Sequence, residues 1–235
     1  MNILLFEAAE LAADGRLELT GRRLRHLREV LGAKPGDRLR AGQINGRLGE
    51  ARVLDIDNQR ANLQVEPGAP APAKLPLTLV VALPRPKMLR RILRSVAVFG
   101  VGELHLGNSY RGEKSYWQTP VLQADTIRDY LLQGLEQSVD TILPRVTCHR
   151  RFKPWVEDAL PSLLDGRAGL LAHPGEHPPC PRELSTHTVL VIGPEGGFIP
   201  YEVDMLCAAG CGKVSLGPRI LRVENAVATV LGRFV

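Results

Sequence analysis

Short alternating runs of apolar and polar residues fill the first third of the chain, and longer periods replace them afterwards. The runs Asn2–Glu7, Arg38–Ala41, Gly46–Asp55 and Ala61–Val65 predict strands. Pro35-Gly36-Asp37 and Asn45-Gly46 punctuate them. Asn-Gly between two extended runs predicts a type I′ hairpin turn, because both residues tolerate positive φ. Thr20–Leu31 places Leu24, Leu27, Val30 and Leu31 on one helical face. The segment Pro67-Gly-Ala-Pro-Ala-Pro72 has no apolar period and predicts a linker. Beyond it, Leu77–Leu83 has the length and β-branched content of a fully buried strand, and Lys87–Phe99 has helical spacing at Met88, Ile92, Leu93, Val96 and Phe99. Further strands are expected at Glu103–Leu106, Gly169–Ala172, Thr188–Ile192 and Lys213–Leu216. Further helices are expected at Val121–Val139, Trp155–Leu164, Tyr201–Ala209 and Glu224–Phe234. Strands alternating with helices imply an α/β fold around a mainly parallel sheet. Residues 1–67 are therefore expected to form a small β-rich domain, 68–76 a linker, and 77–235 the α/β domain.

Composition leaves that picture intact: of 235 residues, 44% are hydrophobic and 23% charged, as in ordinary globular chains. Net charge adds to it. The total is +5, but residues 1–74 carry 12 basic and 10 acidic side chains, 75–155 carry 12 and 6, and 156–235 carry 6 and 9. A basic middle beside an acidic end points to a localised surface for a polyanion. No uncharged apolar run reaches the roughly 18 residues that span a bilayer, and the amino terminus lacks a basic segment with a cleavage site, so a cytoplasmic protein without a membrane partner is expected. Cys148, Cys180, Cys207 and Cys211 form no CxxC pair. They read as small buried apolar residues, with neither metal nor disulfide implied.

Two stretches carry the chemistry. In Val189-Leu-Val-Ile-Gly-Pro-Glu-Gly-Gly-Phe198 a buried strand runs into Gly193, Pro194, Glu195, Gly196 and Gly197. The glycines let a ligand approach the backbone at the carboxyl end of a parallel strand, where open α/β sheets bind ligands. The stretch is neither GxGxxG nor a P-loop. In Leu216-Gly-Pro-Arg-Ile-Leu-Arg-Val-Glu-Asn-Ala226 a second Gly-Pro exit leads through Arg219 and Arg222 into a helix. Glu224 is either part of this site or a first-turn acid stabilised by the helix dipole.

GPEGGF and LGPRILRVENA together resemble the signature of the SPOUT superfamily of knotted S-adenosylmethionine-dependent methyltransferases. More closely, they are similar to the family that methylates N3 of a uridine in 16S ribosomal RNA, whose second motif usually reads LG-x-RILR-x-ETA. His26-Leu27, Val30-Leu31 and Gly36-Asp37 match that family's amino-terminal PUA-like domain, and Leu135-Glu-Gln-Ser138 resembles its A-x-EQS helix. Gly32, Ala97–Gly102 and Val139-Asp140 depart from the pattern, where polar or basic residues are usual. These departures leave open a divergent paralogue that binds RNA without catalysis or methylates another RNA site. A phosphate-cradling α/β enzyme is the further alternative.

The resemblance implies a PUA-like β-barrel domain, a SPOUT domain with a carboxyl-terminal trefoil knot, a homodimer, and 16S ribosomal RNA or the small ribosomal subunit as partner. It implies S-adenosylmethionine held by three loops: Leu171, Ala172 and His173; Gly193 to Gly197; and Leu216, Gly217, Ile220, Leu221 and Arg222, with Ala226 close by. His173 either touches the ligand or makes a structural hydrogen bond. Methylating uracil N3 requires its proton to be removed or the developing anion stabilised. Arg222, with Arg219 as second choice, is expected to steady the uracilate, because arginine stays charged and offers a fork of donors. Glu195 or Glu224 is expected to take the proton or orient an arginine. Arg22, Arg23, Arg25 and Arg28 in the first domain, and Arg85, Lys87, Arg90, Arg91 and Arg94 after the linker, are expected to contact RNA phosphates.

Overall fold

The computed structural model describes residues 2–235, which divide into two compact units. One contains the chain up to Pro72 together with Leu135–Leu143, and the other contains Ala73–Gly134 and Pro144–Val235.

In the first unit a five-stranded sheet is built from β1 (Leu4–Phe6), β2 (Arg16–Leu19), β3 (Arg38–Gln43), β4 (Leu48–Ile56) and β5 (Ala61–Pro67), in the order β1-β3-β4-β5-β2. Only the β1–β3 pairing is parallel. Leu17, Leu19, Val53, Leu63 and Val65 alternate inward onto Leu24 and Leu27 to form its core. The strand β2 lay outside the expected elements, because four residues of RLEL are too few to show a period. The helix expected over Thr20–Leu31 begins as α1 (Gly21–Arg25) and then widens into a π-helical turn over His26–Val30, with Leu31 N–H bonded to His26 C=O at 3.1 Å. That widening breaks the expected face, and Val30 and Leu31 point into solvent.

The Asn45-Gly46 hairpin exists, but its turn is not type I′. Gly46 N–H bonds to Gln43 C=O at 2.8 Å, and only Asn45, with φ of 59°, is left-handed, as the third position of a type II turn requires. The segment Leu135–Leu143 grips this turn. Asn45 N–H donates to Thr141 C=O at 2.8 Å, Thr141 Oγ1 donates to Gly46 C=O at 2.6 Å, and Leu143 N–H donates to Asn45 Oδ1 at 3.0 Å. In the same segment Glu136, 7% exposed, accepts Arg22 at 2.7 Å. Of the expected linker, Gly68 and Ala69 are bonded to Leu48, and residues 75–76 already belong to the next strand.

In the second unit β6 (Leu75–Ala82), β7 (Val101–Gly107), β8 (Arg145–His149), β9 (Ala168–Ala172), β10 (Thr188–Ile192) and β11 (Cys211–Val214) form one sheet in the order β11-β9-β10-β6-β7-β8. Every neighbouring pair is parallel. Parallel strands need crossovers, and helices supply most of them. These are α2 (Pro86–Val98), α3 (Ala124–Ser138), a stretch made of α4 (Phe152–Pro154), a π-helical turn over Trp155–Ala159 and α5 (Leu160–Leu164), then α6 (Pro200–Ala208). The last helix, α7 (Val223–Leu231), packs on α2 and β10 through buried Val223, Val227, Val230 and Leu231. The chain leaving β11 runs beside the β9–β10 connection: Ser215 N–H bonds to Pro178 C=O at 2.8 Å, and Cys180 N–H bonds to Ser215 C=O at 2.9 Å. β8 was not expected, because RVTCH lies at a sheet edge and carries polar residues where a central strand would not. Cys180 and Cys211 are buried as expected, and burial pushes the Cys211 thiol up to about 12. Cys148, on that edge strand, is exposed instead.

A polar chain crosses one face of this sheet. His149 Nε2 lies 2.8 Å from His105 Nδ1, His105 Nε2 lies 3.1 Å from Glu103 Oε1, and Arg145 donates to the same oxygen at 2.7 Å. With His149 donating to His105 Nδ1, the His105 Nε2 carries the proton and lies beside the Glu103 carboxylate. Burial pushes both imidazoles below the ordinary 6.5, for His105 against the upward pull of Glu103. Burial would raise the Glu103 carboxyl, but His105 and Arg145 outweigh it and hold it below 4.5.

Two consequences are testable. The native state keeps His105 and His149 neutral while the unfolded chain protonates them, so their contribution is complete above about pH 6.5 and declines below it; that of Glu103 is lost only below about pH 4.5. Calorimetry should find a melting temperature that falls between about pH 7 and 5, and a flatter profile for His105→Gln. Val139 caps α3 with φ of 59°, and Asp140 N–H closes the cap on Leu135 C=O. A β-branched residue is strained there, where glycine is usual. Val139→Gly should stabilise by about 1 kcal/mol, raising the melting temperature by about 2–4 °C.

Candidate functional site

Because all six strands point one way, the loops after β6, β7, β9, β10 and β11 gather at one sheet edge. The turn Gly193–Phe198, after β10, lies centrally and is held on several sides. Gly197 N–H closes it on Pro194 C=O at 2.8 Å. Arg85 N–H, after β6, reaches Glu195 Oε1 at 3.4 Å. Arg111, after β7, donates to Gly196 C=O at 2.7 Å. Glu202 in the first turn of α6 is 2% exposed and accepts Tyr110 N–H at 2.7 Å and Ile199 N–H at 3.1 Å. One buried carboxylate thus ties the β7 exit to the β10 exit.

The β11 exit is looser. Ser215 Oγ accepts Gly217 N–H at 3.2 Å, and Arg233, beyond α7, approaches Leu216 C=O at 3.5 Å. Gly217 has φ of 129° and Gly197 has φ of 71°, and a Cβ at either position would meet nothing within 4 Å. Both face open space in a backbone geometry that favours glycine. Arg219 and Ile220 are exposed and Leu221 is half-buried. Among the described residues, the backbone groups of Arg219, Ile220 and Leu221 have no partner outside the α7 cap.

The residues singled out from the sequence separate accordingly. Gly193, Pro194, Glu195, Gly196, Gly197, Leu216, Gly217, Ile220, Leu221 and Arg222 share this edge. Arg222 is the residue immediately before α7 and is exposed, as is Arg219, while Glu224 lies in the first turn of α7. Leu171 is fully buried in the core and Ala226 is 7% exposed on the packed side of α7, so the Leu171 side chain faces the core and not the loops. His173 N–H bonds to Val214 C=O at 3.0 Å, and its ring Nδ1 lies 2.7 Å from Pro174 C=O. Among the basic residues, Arg85, Lys87, Arg90, Arg91 and Arg25 are exposed. Arg94 donates to Gln133 Oε1 at 2.9 Å and stacks 4.8 Å over the Tyr130 ring. Arg23 is likewise held by Glu10 and by Leu5 C=O. Arg22 pairs with Glu136 and Arg28 donates to Asn58.

Comparison with known proteins bears on this edge. Residues 71–235 match the model of the RNA methyltransferase domain. A ribosomal RNA small subunit methyltransferase E from Treponema pallidum is 31% identical over 234 residues, covering 96% of this chain and 87% of the relative. The chain belongs to the ribosomal RNA small subunit methyltransferase E family. A second member, from Synechocystis, is 28% identical over 99% of this chain and 77% of its own length. The fold is shared with solved structures. A methyltransferase E from Neisseria gonorrhoeae bound to S-adenosyl methionine has a TM-score of 0.75 at 21% identity, covering 98% of this chain and 95% of that one. A Legionella pneumophila methyltransferase in complex with the same cofactor has a TM-score of 0.77 at 20% identity, with the same coverage.

In this methyltransferase E family member, Tyr110, Arg111 and Glu202 were not legible as site residues. Glu202 reads in sequence as an ordinary first-turn acid after Pro200, and Arg111 as a loop cation. Only the tertiary fold brings them to Gly193–Phe198. Removing the Arg111 guanidinium frees Gly196 C=O, so Arg111→Ala should accelerate amide exchange across 193–198 while leaving β6 protected, as read by hydrogen–deuterium exchange.

Proposed function

We propose that this chain transfers a methyl group from S-adenosylmethionine to N3 of a uridine in 16S ribosomal RNA, as a cytoplasmic homodimer with a trefoil-knotted methyltransferase domain and a PUA-like barrel for RNA. Membership in the methyltransferase E family carries the reading. Support for the knot comes from the chain leaving β11 alongside residues 178–180 before α7 packs on α2 and β10. The homodimer follows the resemblance to SPOUT proteins.

The exposed edge suits the cofactor. Open space at Gly197 and Gly217 admits a flat ligand, and the unpartnered backbone groups of Arg219 to Leu221 offer donors and acceptors for an adenine edge. When bound, S-adenosylmethionine supplies an electrophilic methyl on a sulfonium. The protein's own task is the uracil. Arg222, exposed at the entrance to α7, steadies negative charge on the uracil oxygens as the N3 proton leaves, with Arg219 three residues before it as second choice. Glu195 and Glu224 are the carboxylates from which the proton acceptor is drawn. Arg85, Lys87, Arg90 and Arg91, along the start of α2, hold phosphates and so give affinity without reading sequence.

The decisive test is methylation of 16S RNA or small subunits from a strain lacking the protein. A methyl on N3 blocks base pairing, so reverse transcription should stop at one uridine. Arg222→Ala should still bind S-adenosylmethionine yet lose about 100-fold or more in turnover. Purified wild-type protein that binds the cofactor but marks no uridine would sink this reading.

A further inference from the structure

The loop leaving β7 combines firm anchorage with an unsupported aromatic ring. Asn108 N–H bonds to His149 C=O at 2.9 Å, and its side chain accepts Trp117 Nε1 at 3.1 Å. Tyr110 N–H is taken by buried Glu202, and Arg111 is fastened to Gly196 C=O. The Tyr110 ring itself is 79% exposed. Held outward in water, the ring adds almost no burial to folding, and the anchored backbone leaves little loop entropy for a ligand to overcome.

We propose that Tyr110 is the platform on which the target pyrimidine base stacks while its N3 edge meets the methyl donor, an inference that rests on the RNA methyltransferase reading above. Strand order supplies the geometry. The exits of β9 and β11 lie on one side of the β10 turn, and that of β7 lies on the other, two strands or about 10 Å away. A donor held among the β9, β10 and β11 loops leaves the β7 side for the acceptor. The surroundings suit a nucleotide better than a protein. Arg111, Glu113 and Lys114 are exposed polar neighbours, so the ring stands without the contiguous apolar patch of a protein interface. An unpaired base needs only one aromatic face with cations near its phosphate, and Arg85 is exposed at the intervening β6 exit.

Tyr110→Ala and Tyr110→Trp, compared with the wild type, test the platform. The alanine variant should raise KM for RNA, and Kd for a short single-stranded uridine oligonucleotide measured without turnover, by about tenfold. Its affinity for S-adenosylmethionine and its sedimentation should stay unchanged, and tryptophan should recover most of the loss. Unaltered KM and Kd in the alanine variant would overturn the proposal. So would a changed cofactor affinity or a changed oligomeric state, which would assign the ring to the donor or to a second copy. Should the wild type methylate no uridine, the function reading fails, and the oligonucleotide Kd still decides the platform by itself.

Discussion

Every strand of the larger unit runs in the same direction, and that constraint arranges everything else in it. Each chain segment that leaves the sheet does so at one edge and must travel back along a crossover before it can re-enter. Irregular backbone therefore accumulates at the carboxyl edge, where its polar groups have no ladder to join. The protein satisfies part of this demand with side chains. Glu202 answers two amide groups from separate loops, Arg85 offers its amide to Glu195, and Arg111 answers one carbonyl. The β11 exit is left comparatively unsatisfied, so a braced turn and an unbraced one lie at the same edge.

Within the sheet the polar chain from His149 through His105 to Glu103 occupies positions that apolar residues normally fill in a parallel sheet. It survives because each member has a partner: the two rings bond to one another, and the carboxylate sees Arg145 and the Thr78 hydroxyl. Its cost is a dependence on protonation state that a hydrocarbon core would not have.

What could be read from the sequence tracks how local the deciding physics is. Thr188–Ile192 and the turn after it were legible because four apolar residues in a row, Val189 to Ile192, followed by Gly-Pro-Glu-Gly-Gly carry both the strand and its end within ten positions. The helix over Pro86–Val98 was legible from its spacing. β8 was not, since an edge strand with Arg145 and His149 looks like loop until β7 is beside it. The turn at Asn45 was placed correctly and typed wrongly, because Thr141, almost a hundred residues away, sets its conformation. The bonds of Arg23 to Glu10 and of Arg94 to Gln133 had no local mark, since each joins residues that only the fold brings together. Tyr110 and Glu202 had no local mark at all, and the bond between them exists only once β7 and β10 lie two strands apart.

The segment Leu135–Leu143 gives the smaller unit a discontinuous makeup. Asn2 N–H bonds to Glu136 C=O at 2.8 Å, so the two extremes of that unit are separated by more than a hundred residues of chain. During synthesis the first 72 residues emerge without the partner that holds the Asn45 turn and without the carboxylate that faces Arg22. The smaller unit is thus finished late, after α2, β7 and most of α3 have already been made. Its maturation is tied to the order of translation, and a fragment cut at the Ala-Pro segment would be an unfinished piece and not a free-standing domain.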